Sequence, residues 1–435
     1  MMLTLLEKTA AALILKFKPT VVCITGSVGK TSTKEAIASA LSTSYTVRKT
    51  SRNYNNDYGV PIAVIGGFES EEGYLALLTI LGYGLWQLYF RSRFPQILVI
   101  EVGAGKFGEI ERISRWLKPD MVVVTNLPDV PSHLGVFGSK EMIIKEKKFL
   151  VSAMDKEGIL IIDKNERNAR YFYEDFSGKI VFFDADKFIE GSKYTIVYED
   201  RNDFNYPLGF KFEVELNNAV DRKSVTFEGF LGIQNMKAVG IAVLVAKQLN
   251  CRVEDTLQGI KKYKPECGRL RIIPELNGKI IVLDDTFNAS PRAIENSLRT
   301  LLSLELKKSQ RRIAVLGDML NFGKEVEKIH RQTATEELPQ VDILITVGNI
   351  SVVWQEFNRN KYHLNKHFKN ATNAARYIEK FQKEGNIILF KGGHLTRLEK
   401  AVAILTGCPS EYLVRQEKYY EIHELDLNPI SADNE

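Results

Sequence analysis

Eight short runs of Val, Ile and Leu, each ending in or beside Gly, Asn or Asp, punctuate the chain: TVVCITG, QILVIEVGA, MVVVTNL, GILIIDKN, and later KIIVLDD, RIAVLGD, DILITVG and NIILFKG. A strand with one face in water alternates apolar and polar residues, whereas continuous apolar runs belong to strands covered on both faces. Longer helical patterns separate these runs. The fold class is therefore α/β with mainly parallel sheets.

The runs divide into two sets. Between Lys193 and Phe230 the texture changes to alternating Tyr, Phe, Val and Thr (YTIVYED, FKFEVEL, KSVTFEGF), expected to form antiparallel hairpins attached to the first sheet. Pro and Gly in YKPECG, near residues 263–268, mark a boundary. The expected organisation is an N-terminal helix (1–19), a central phosphate-loop domain on a parallel sheet with the hairpin addition (20–265), a Rossmann-like C-terminal α/β domain (266–423) and a frayed polar tail (424–435).

At 435 residues and 44% hydrophobic, the chain can bury an ample core in two or three domains. Its formal charge of +5 comes from Lys and Arg interspersed with Asp and Glu, a solvated surface and not a nucleic-acid tract. Cys23, Cys251, Cys267 and Cys408 have no paired spacing, so neither a zinc site nor a disulfide framework is expected; they read as reduced cytoplasmic thiols. The opening apolar stretch is interrupted by Glu7 and Lys8 and reads as an amphipathic helix packed on the first domain, not a leader. Tyr74 to Phe90 (YLALLTILGYGLWQLYF) carries no charge and runs into Arg91 and Arg93. It is too short and too glycine-interrupted to span a bilayer, which needs about 20 apolar residues. On length, a buried inserted helix over about 73–93 is favoured above a peripheral membrane-surface helix.

The first run leads into Gly26-Ser27-Val28-Gly29-Lys30-Thr31-Ser32 and then a helical KEAIASAL. Glycines let backbone N–H groups wrap phosphate oxygens, the helix N-terminus adds positive potential, Lys30 reaches the β- and γ-phosphates, and Thr31 can bind magnesium. Only two residues separate the glycines, fewer than in the general nucleotide loop.

That shorter loop resembles the one used by the Mur ligases, and further segments resemble the family in order and spacing across roughly residues 20 to 400. They are NYNNDYGVP with Asn53, Asn55 and Asn56, Glu101 in VIEVGA, and His133-Leu134 with Gly138-Ser139. Further on come Gly232, Gln234 and Asn235, then Gly268-Arg269, DDTFNASP from Asp284 to Pro291, LGDM from Leu316, and Lys391-Gly392. The resemblance is strongest to the branch that adds D-alanyl-D-alanine to a UDP-muramoyl tripeptide. It implies a cytoplasmic, ATP-dependent, ADP-forming ligase of peptidoglycan biosynthesis that activates a carboxylate as an acyl phosphate and couples it to an amine. ATP would sit between domains with two Mg2+ ions.

Glu101 ends an apolar strand at the carboxyl edge where ligands of open α/β sheets gather, and can share a magnesium with Thr31. His133 lies in the loop after MVVVTNL. Lys147 has Ile143, Ile144, Leu150 and Val151 three and four residues away, so it projects from the apolar face of its helix. Burial lowers a lysine's pKa and frees the neutral amine, unless the stem packs while the amine snorkels out. Lys145 and Lys148 have mixed neighbours and rank lower. In the resembled family the lysine eight residues after the Gly-Ser pair is carbamylated by CO2 and helps bind the second magnesium; Lys147 occupies that position. The resemblance further implies that Arg269 contacts the ATP phosphates, Asp285 the ribose and Asn235 the adenine end, while Asn288 and Lys391 face the incoming amine.

Four departures bear on the substrate or nucleotide contacts. The phosphate loop begins near residue 25, leaving no room for the domain that grips a UDP-sugar in the resembled branch; LGDMLELG reads LGDMLNFG with Asn321; KGSR reads Lys391-Gly392-Gly393-His394; and in the stretch from Gly232 the second Asn is replaced by Ala238. The acceptor is thus expected to be a peptide or amino-acid substrate, UDP-linked or lipid-linked, with the 74–93 helix as a membrane contact in the latter case. Two alternatives stand beside this reading: a ligase extending folates with glutamate, and a nucleotide-binding scaffold without chemistry.

Overall fold

The structure, a computed structural model, describes residues 1–51, 54–66, 73–131, 133–201, 204–215, 222–273, 279–335, 340–357, 364–383 and 385–415. The 424–435 tail lies outside them. The chain divides into two compact units: residues 1–194, 212–225 and 234–264, and residues 195–211, 226–233 and 265–435.

The first unit is built on a six-stranded, all-parallel sheet. Its strands are β1 (Thr20–Thr25), β2 (Val47–Lys49), β3 (Ile97–Glu101), β4 (Met121–Val124), β5 (Ile159–Asp163) and β6 (Lys179–Phe183), in the order β2-β3-β1-β4-β5-β6. The four apolar residues of β3 and all four of β4 are buried, as their unbroken apolar runs require, and Glu101 at the end of β3 is buried with them. The order places β1 between β3 and β4, so chain order reverses across β1 and a crevice opens at its carboxyl end.

Seven helices of this unit matter for the site: α1 (Met2–Phe17), α2 (Lys30–Leu41), α3 (Gly59–Ile65), α4 (Tyr74–Phe90), α5 (Glu109–Leu117), α6 (Leu134–Phe137) and α7 (Lys140–Ser152). Leu6, Ala10 and Leu13 of α1, spaced three to four apart, enter the core that also holds Ile65 and Ile80. Helix α4 corrects the expectation of a buried helix: only Ala76, Ile80, Gly84 and Gln87 are buried. Among the described residues no helix is long and apolar enough to cross a membrane.

Strands β7 (Thr195–Arg201), β8 (Phe204–Glu215) and β9 (Arg222–Glu228) form a sheet of their own, not an extension of the first. Residues 195–211 and 226–233 group with the second unit. The pairing explains it: Leu231 N donates to Leu270 O (3.0 Å), Ile272 N to Gly229 O (2.9 Å), and Glu305 N to Tyr198 Oη (2.7 Å).

The second unit carries β10 (Arg271–Ile273), β11 (Ile281–Asp285), β12 (Arg312–Gly317), β13 (Ile343–Val347), β14 (Leu364–Phe368) and β15 (Ile387–Lys391), ordered β10-β11-β15-β12-β13-β14. Only β10 among these runs antiparallel to its neighbour. Helices packed on a largely parallel sheet give it the Rossmann-like character expected.

Candidate active site

In the first unit the loop after β1 turns at Gly26, with φ 137°, and enters α2 through Gly29, φ 89°. The end of β4 holds it: Ser27 N donates to Asn126 O (2.9 Å), and Asn126 Nδ2 is bound by the Glu166 carboxylate. Thr31 and Ser32 are buried in the first turn of α2.

Two lysines converge on one carbonyl. Lys30 Nζ donates to Gly26 O at 3.0 Å, and Lys147 Nζ, 121 residues further on, donates to the same oxygen at 2.9 Å. Lys147 is 3% exposed, so its amine stays inside and does not snorkel out; Lys145 is exposed and Lys148 pairs with Asp175 (2.7 Å). Burial first, then the neighbouring Lys30 ammonium, hold the Lys147 pKa well below the lysine range, against the opposing pull of Glu146 and Glu101.

Parallel register sets Glu101 beside Ile24 of β1, two residues before the loop. Its Oε1 accepts from Asn55 Nδ2 (2.9 Å), while Oε2 is buried without a hydrogen-bond partner. A solvent-excluded carboxylate oxygen left unpaired is costly unless a cation completes it. Among the described residues no three His, Cys, Asp or Glu side chains gather into a cage. The donor set fits magnesium, which usually takes one or two carboxylates and completes its shell with waters and substrate phosphates: Glu101 and Thr31 would hold it. His133, half-buried and left-handed at φ 70°, stands at the head of α6, ahead of the helix that carries Lys147.

Sequence reasoning missed the residues that brace this arrangement. Glu146, next to Lys147 and buried, accepts from the backbone N–H groups of Ile110 (2.7 Å), Gly108 (3.1 Å) and Glu111 (3.4 Å), closing the N-terminus of α5. Buried Glu109 accepts from Asp57 N (3.1 Å) and Gly105 N (2.7 Å), tying the asparagine-rich loop to the loop after β3. The available signal was an adjacent Glu-Lys pair on an otherwise apolar helix face. Of the asparagines, Asn55 reaches Glu101, Asn56 spends its Oδ1 on Gly59 N (2.8 Å), and Asn53 lies outside the described residues. Asn235 is buried on the helix Ile233–Gln248, where its Oδ1 accepts from Tyr263 Oη (2.8 Å).

The second unit has its own polar cluster at the carboxyl edge. Parallel register puts Asp285 of β11 opposite Lys391 of β15, and the two form a buried ion pair of 3.0 Å. Lys391 Nζ also donates to Asn288 O (2.6 Å), and Ser297 Oγ to Asp285 Oδ2. Burial lowers the Lys391 pKa despite Asp285. The Arg269 guanidinium lies 3.9 Å from the centre of the Phe287 ring. Asp284, the first residue of DDTFNASP and given no role of its own in the sequence, is wholly buried; it accepts from Gly268 N and Thr286 Oγ1, and burial pushes its carboxyl up to about 6. Arg415 donates to the carbonyls of Thr286 and Phe287 and to Glu399, fixing the loop that carries Asn288.

A phosphate loop at the switch point of a parallel sheet, backed by a buried amine and a half-unpaired carboxylate, defines a nucleotide-using α/β protein. The Mur ligase middle domain matches residues 24–78 and 80–228, and the Mur ligase glutamate ligase domain matches residues 268–394. The chain belongs to the Mur ligase family. It is 26% identical over 413 residues to the UDP-N-acetylmuramoyl-tripeptide–D-alanyl-D-alanine ligase of Bacillus subtilis, covering 94% of this chain and 80% of that protein. The enzyme of the same name from Haemophilus influenzae is 27% identical, over 89% and 77%. The crystal structure of the MurF ligase from Thermotoga maritima in complex with ADP shares the fold, with a TM-score of 0.70 at 23% identity over 93% of this chain and 83% of that one. The Escherichia coli FolC structure with ADP shares it at a TM-score of 0.56 and 17% identity, over 92% and 93%.

Proposed function

We propose that this Mur ligase adds D-alanyl-D-alanine, or a closely similar amino acid or dipeptide, to the carboxylate of a cell-wall peptide precursor in the cytoplasm, with conversion of ATP to ADP and phosphate. The observation that carries the reading is the meeting of Lys30 and Lys147 on the Gly26 carbonyl beside the unpaired Glu101 oxygen. A simple nucleotide scaffold has no use for a buried second amine there.

In this reading the loop N–H groups and Lys30 hold the ATP phosphates, and Lys30 neutralises charge as the acceptor carboxylate attacks the γ-phosphorus. Magnesium at Thr31 and Glu101 supplies further charge neutralisation when bound. The γ-phosphoryl passes to the carboxylate oxygen, ADP leaves, and the acyl phosphate is attacked by the amine, whose surplus proton must be removed as phosphate departs. Lys147, carbamylated by CO2, would with His133 hold the second magnesium; its lowered pKa supports this, because CO2 adds only to a neutral amine. Arg269, Asp285 and Asn235 are the nucleotide candidates, and Asn55, Asn56, Asn53, Asn288 and Lys391 the substrate candidates. The acceptor is UDP-linked or lipid-linked. The folate-extending alternative is favoured only by likeness of fold, whereas sequence identity over most of the chain lies with the D-alanyl-D-alanine ligases.

Phosphate release with magnesium and bicarbonate, screened against UDP-muramoyl peptides and D-alanyl-D-alanine singly and together, tests the proposal. Release only with the pair supports it; release with a folate and glutamate would replace it.

A further inference from the structure

Helix α4 is apolar on both sides. Its buried stripe is Ala76, Ile80, Gly84 and Gln87, flanked by half-buried Leu77, Leu81, Tyr83 and Leu88 that pack on the core, while Leu75, Leu78, Leu85, Trp86, Tyr89 and Phe90 face outward. Leu75, Tyr89 and Phe90 are exposed by 79%, 78% and 76%. At 3.6 residues per turn these positions fall on one side of the helix, so they form one uncharged face along a helix of about 25 Å. A surface helix of a water-soluble domain turns polar side chains outward instead.

The inward side is already complete, so the helix cannot roll over to hide these residues. A β-carbon on Gly84 would come within 2.7 Å of Thr9 Cγ2 of α1, and Gln87 Nε2 donates to Ile65 O at 2.7 Å. Cations collect at the C-terminal end of α4. Lys16 Nζ donates to Leu88 O (2.5 Å) and Arg91 O (3.3 Å), Lys18 and Arg93 are exposed, and Leu15 next to Lys16 is 76% exposed. The one acid of α1, Glu7, is taken by Arg112 (2.7 Å). Glu69, Glu71 and Glu72, which precede α4 in the sequence, lie outside the described residues.

We propose that the outward face of α4, with Leu15 and the basic residues at its C-terminal end, docks on an anionic lipid bilayer. Apolar side chains would enter the acyl boundary, Trp86 and Tyr89 would sit at headgroup depth, and Lys16, Lys18, Arg91 and Arg93 would meet the anionic heads. The helix lies on the membrane and does not cross it. A second copy of the chain covers the stripe less well, since α1 and α4 offer, among the described residues, no free acid to match these cations. The inference goes beyond the ligase reading and places the enzyme where a lipid-carried acceptor would be.

Flotation of the full-length protein with vesicles of phosphatidylcholine, alone or mixed with phosphatidylglycerol, tests this without turnover, so its failure leaves the ligase reading intact. The protein is expected to float with the mixed vesicles, with a blue shift of Trp86 emission that Trp86→Phe removes. Lys18→Gln and Arg93→Gln each lower the partition coefficient about five-fold. Leu75→Glu with Trp86→Glu abolishes flotation and keeps the far-ultraviolet circular dichroism and ATP affinity unchanged. Three outcomes overturn the proposal: protein left in the soluble fraction with both vesicles; flotation indifferent to lipid charge or to the double variant; or a dimer by light scattering that Trp86→Glu dissociates, with no vesicle binding.

Discussion

A β-carbon at Gly26 would lie 2.1 Å from Thr125 Oγ1, in a backbone conformation that side chains rarely adopt. Gly26→Ala is therefore expected to lower unfolding stability by about 1–3 kcal/mol in a urea titration and to abolish ATP binding, because the loop cannot shift without breaking its bonds to Asn126. Lys147→Ala should reduce phosphate release at least a hundred-fold, with partial rescue by small carboxylate anions; unchanged turnover would remove the carbamate from the mechanism. His330 carries a pH prediction for the second unit. It is wholly buried, its Nδ1 donates to Val326 O (2.7 Å) and its Nε2 accepts from Met319 N (2.9 Å), so it folds as the neutral ring, and burial lowers its pKa against the opposing pulls of the Val326 bond and Asp318. Its stabilisation is present above the ordinary histidine value near 6.5 and is lost as pH falls below it. A melting temperature that declines between pH 7 and 5, with a shallower decline in His330→Gln, is the expected result. Individual residues were legible in the sequence where one pattern isolated them, as the apolar neighbours did for Lys147. Asp284 and Glu146 were not, because a buried acid is recognised by the N–H groups that converge on it, and these come from elsewhere in the chain.

At the scale of elements, α5 and α7 are joined by a carboxylate and not by apolar packing alone. Glu146→Ala would leave three N–H groups at the head of α5 without their acceptor, at a cost of about 2 kcal/mol. Lys147 is the next residue, so this variant should also lower kcat while leaving ATP affinity near its starting value; a stability change without a kcat change would confine Glu146 to capping. The strands were readable because a fully covered strand needs an unbroken apolar run, and each of the eight runs became a strand of one of the two parallel sheets. Helix α4 was misjudged because composition says that a segment is apolar but not which side its neighbours cover. Gly84 seats the helix against Thr9 of α1 and Ile65 of α3, so one side of an apolar segment is covered and Leu75, Trp86, Tyr89 and Phe90 are left on the other.

For the whole molecule, the boundary near residue 265 is a change in texture, whereas the compact units interleave around it. Phe204, 6% exposed, and the Tyr198 hydroxyl belong with the second unit, although their strands precede that boundary in the chain. A fragment starting at residue 266 is expected to express as aggregate or to melt at least 10 °C below the full chain, because it lacks the strands that cover Gln310 and Gly385; equal stability would show the sheet to be a detachable addition. Sequence periodicity cannot reveal this arrangement, since alternation identifies hairpins without naming the surface on which they settle.

The carbonyl shared by two lysines has a calorimetric consequence. Before nucleotide arrives, Lys147 is disposed toward its neutral form by burial and by the cation beside it. Phosphate oxygens entering the loop add negative charge at the same point and raise the affinity of that amine for a proton. In CO2-free buffer, where this amine is not carbamylated, ATP binding should then draw protons from the buffer at any pH between the free and bound pKa values. Titration in buffers of different ionisation enthalpy would show apparent binding heats that rise with buffer enthalpy in the native protein and become independent of it in Lys147→Met.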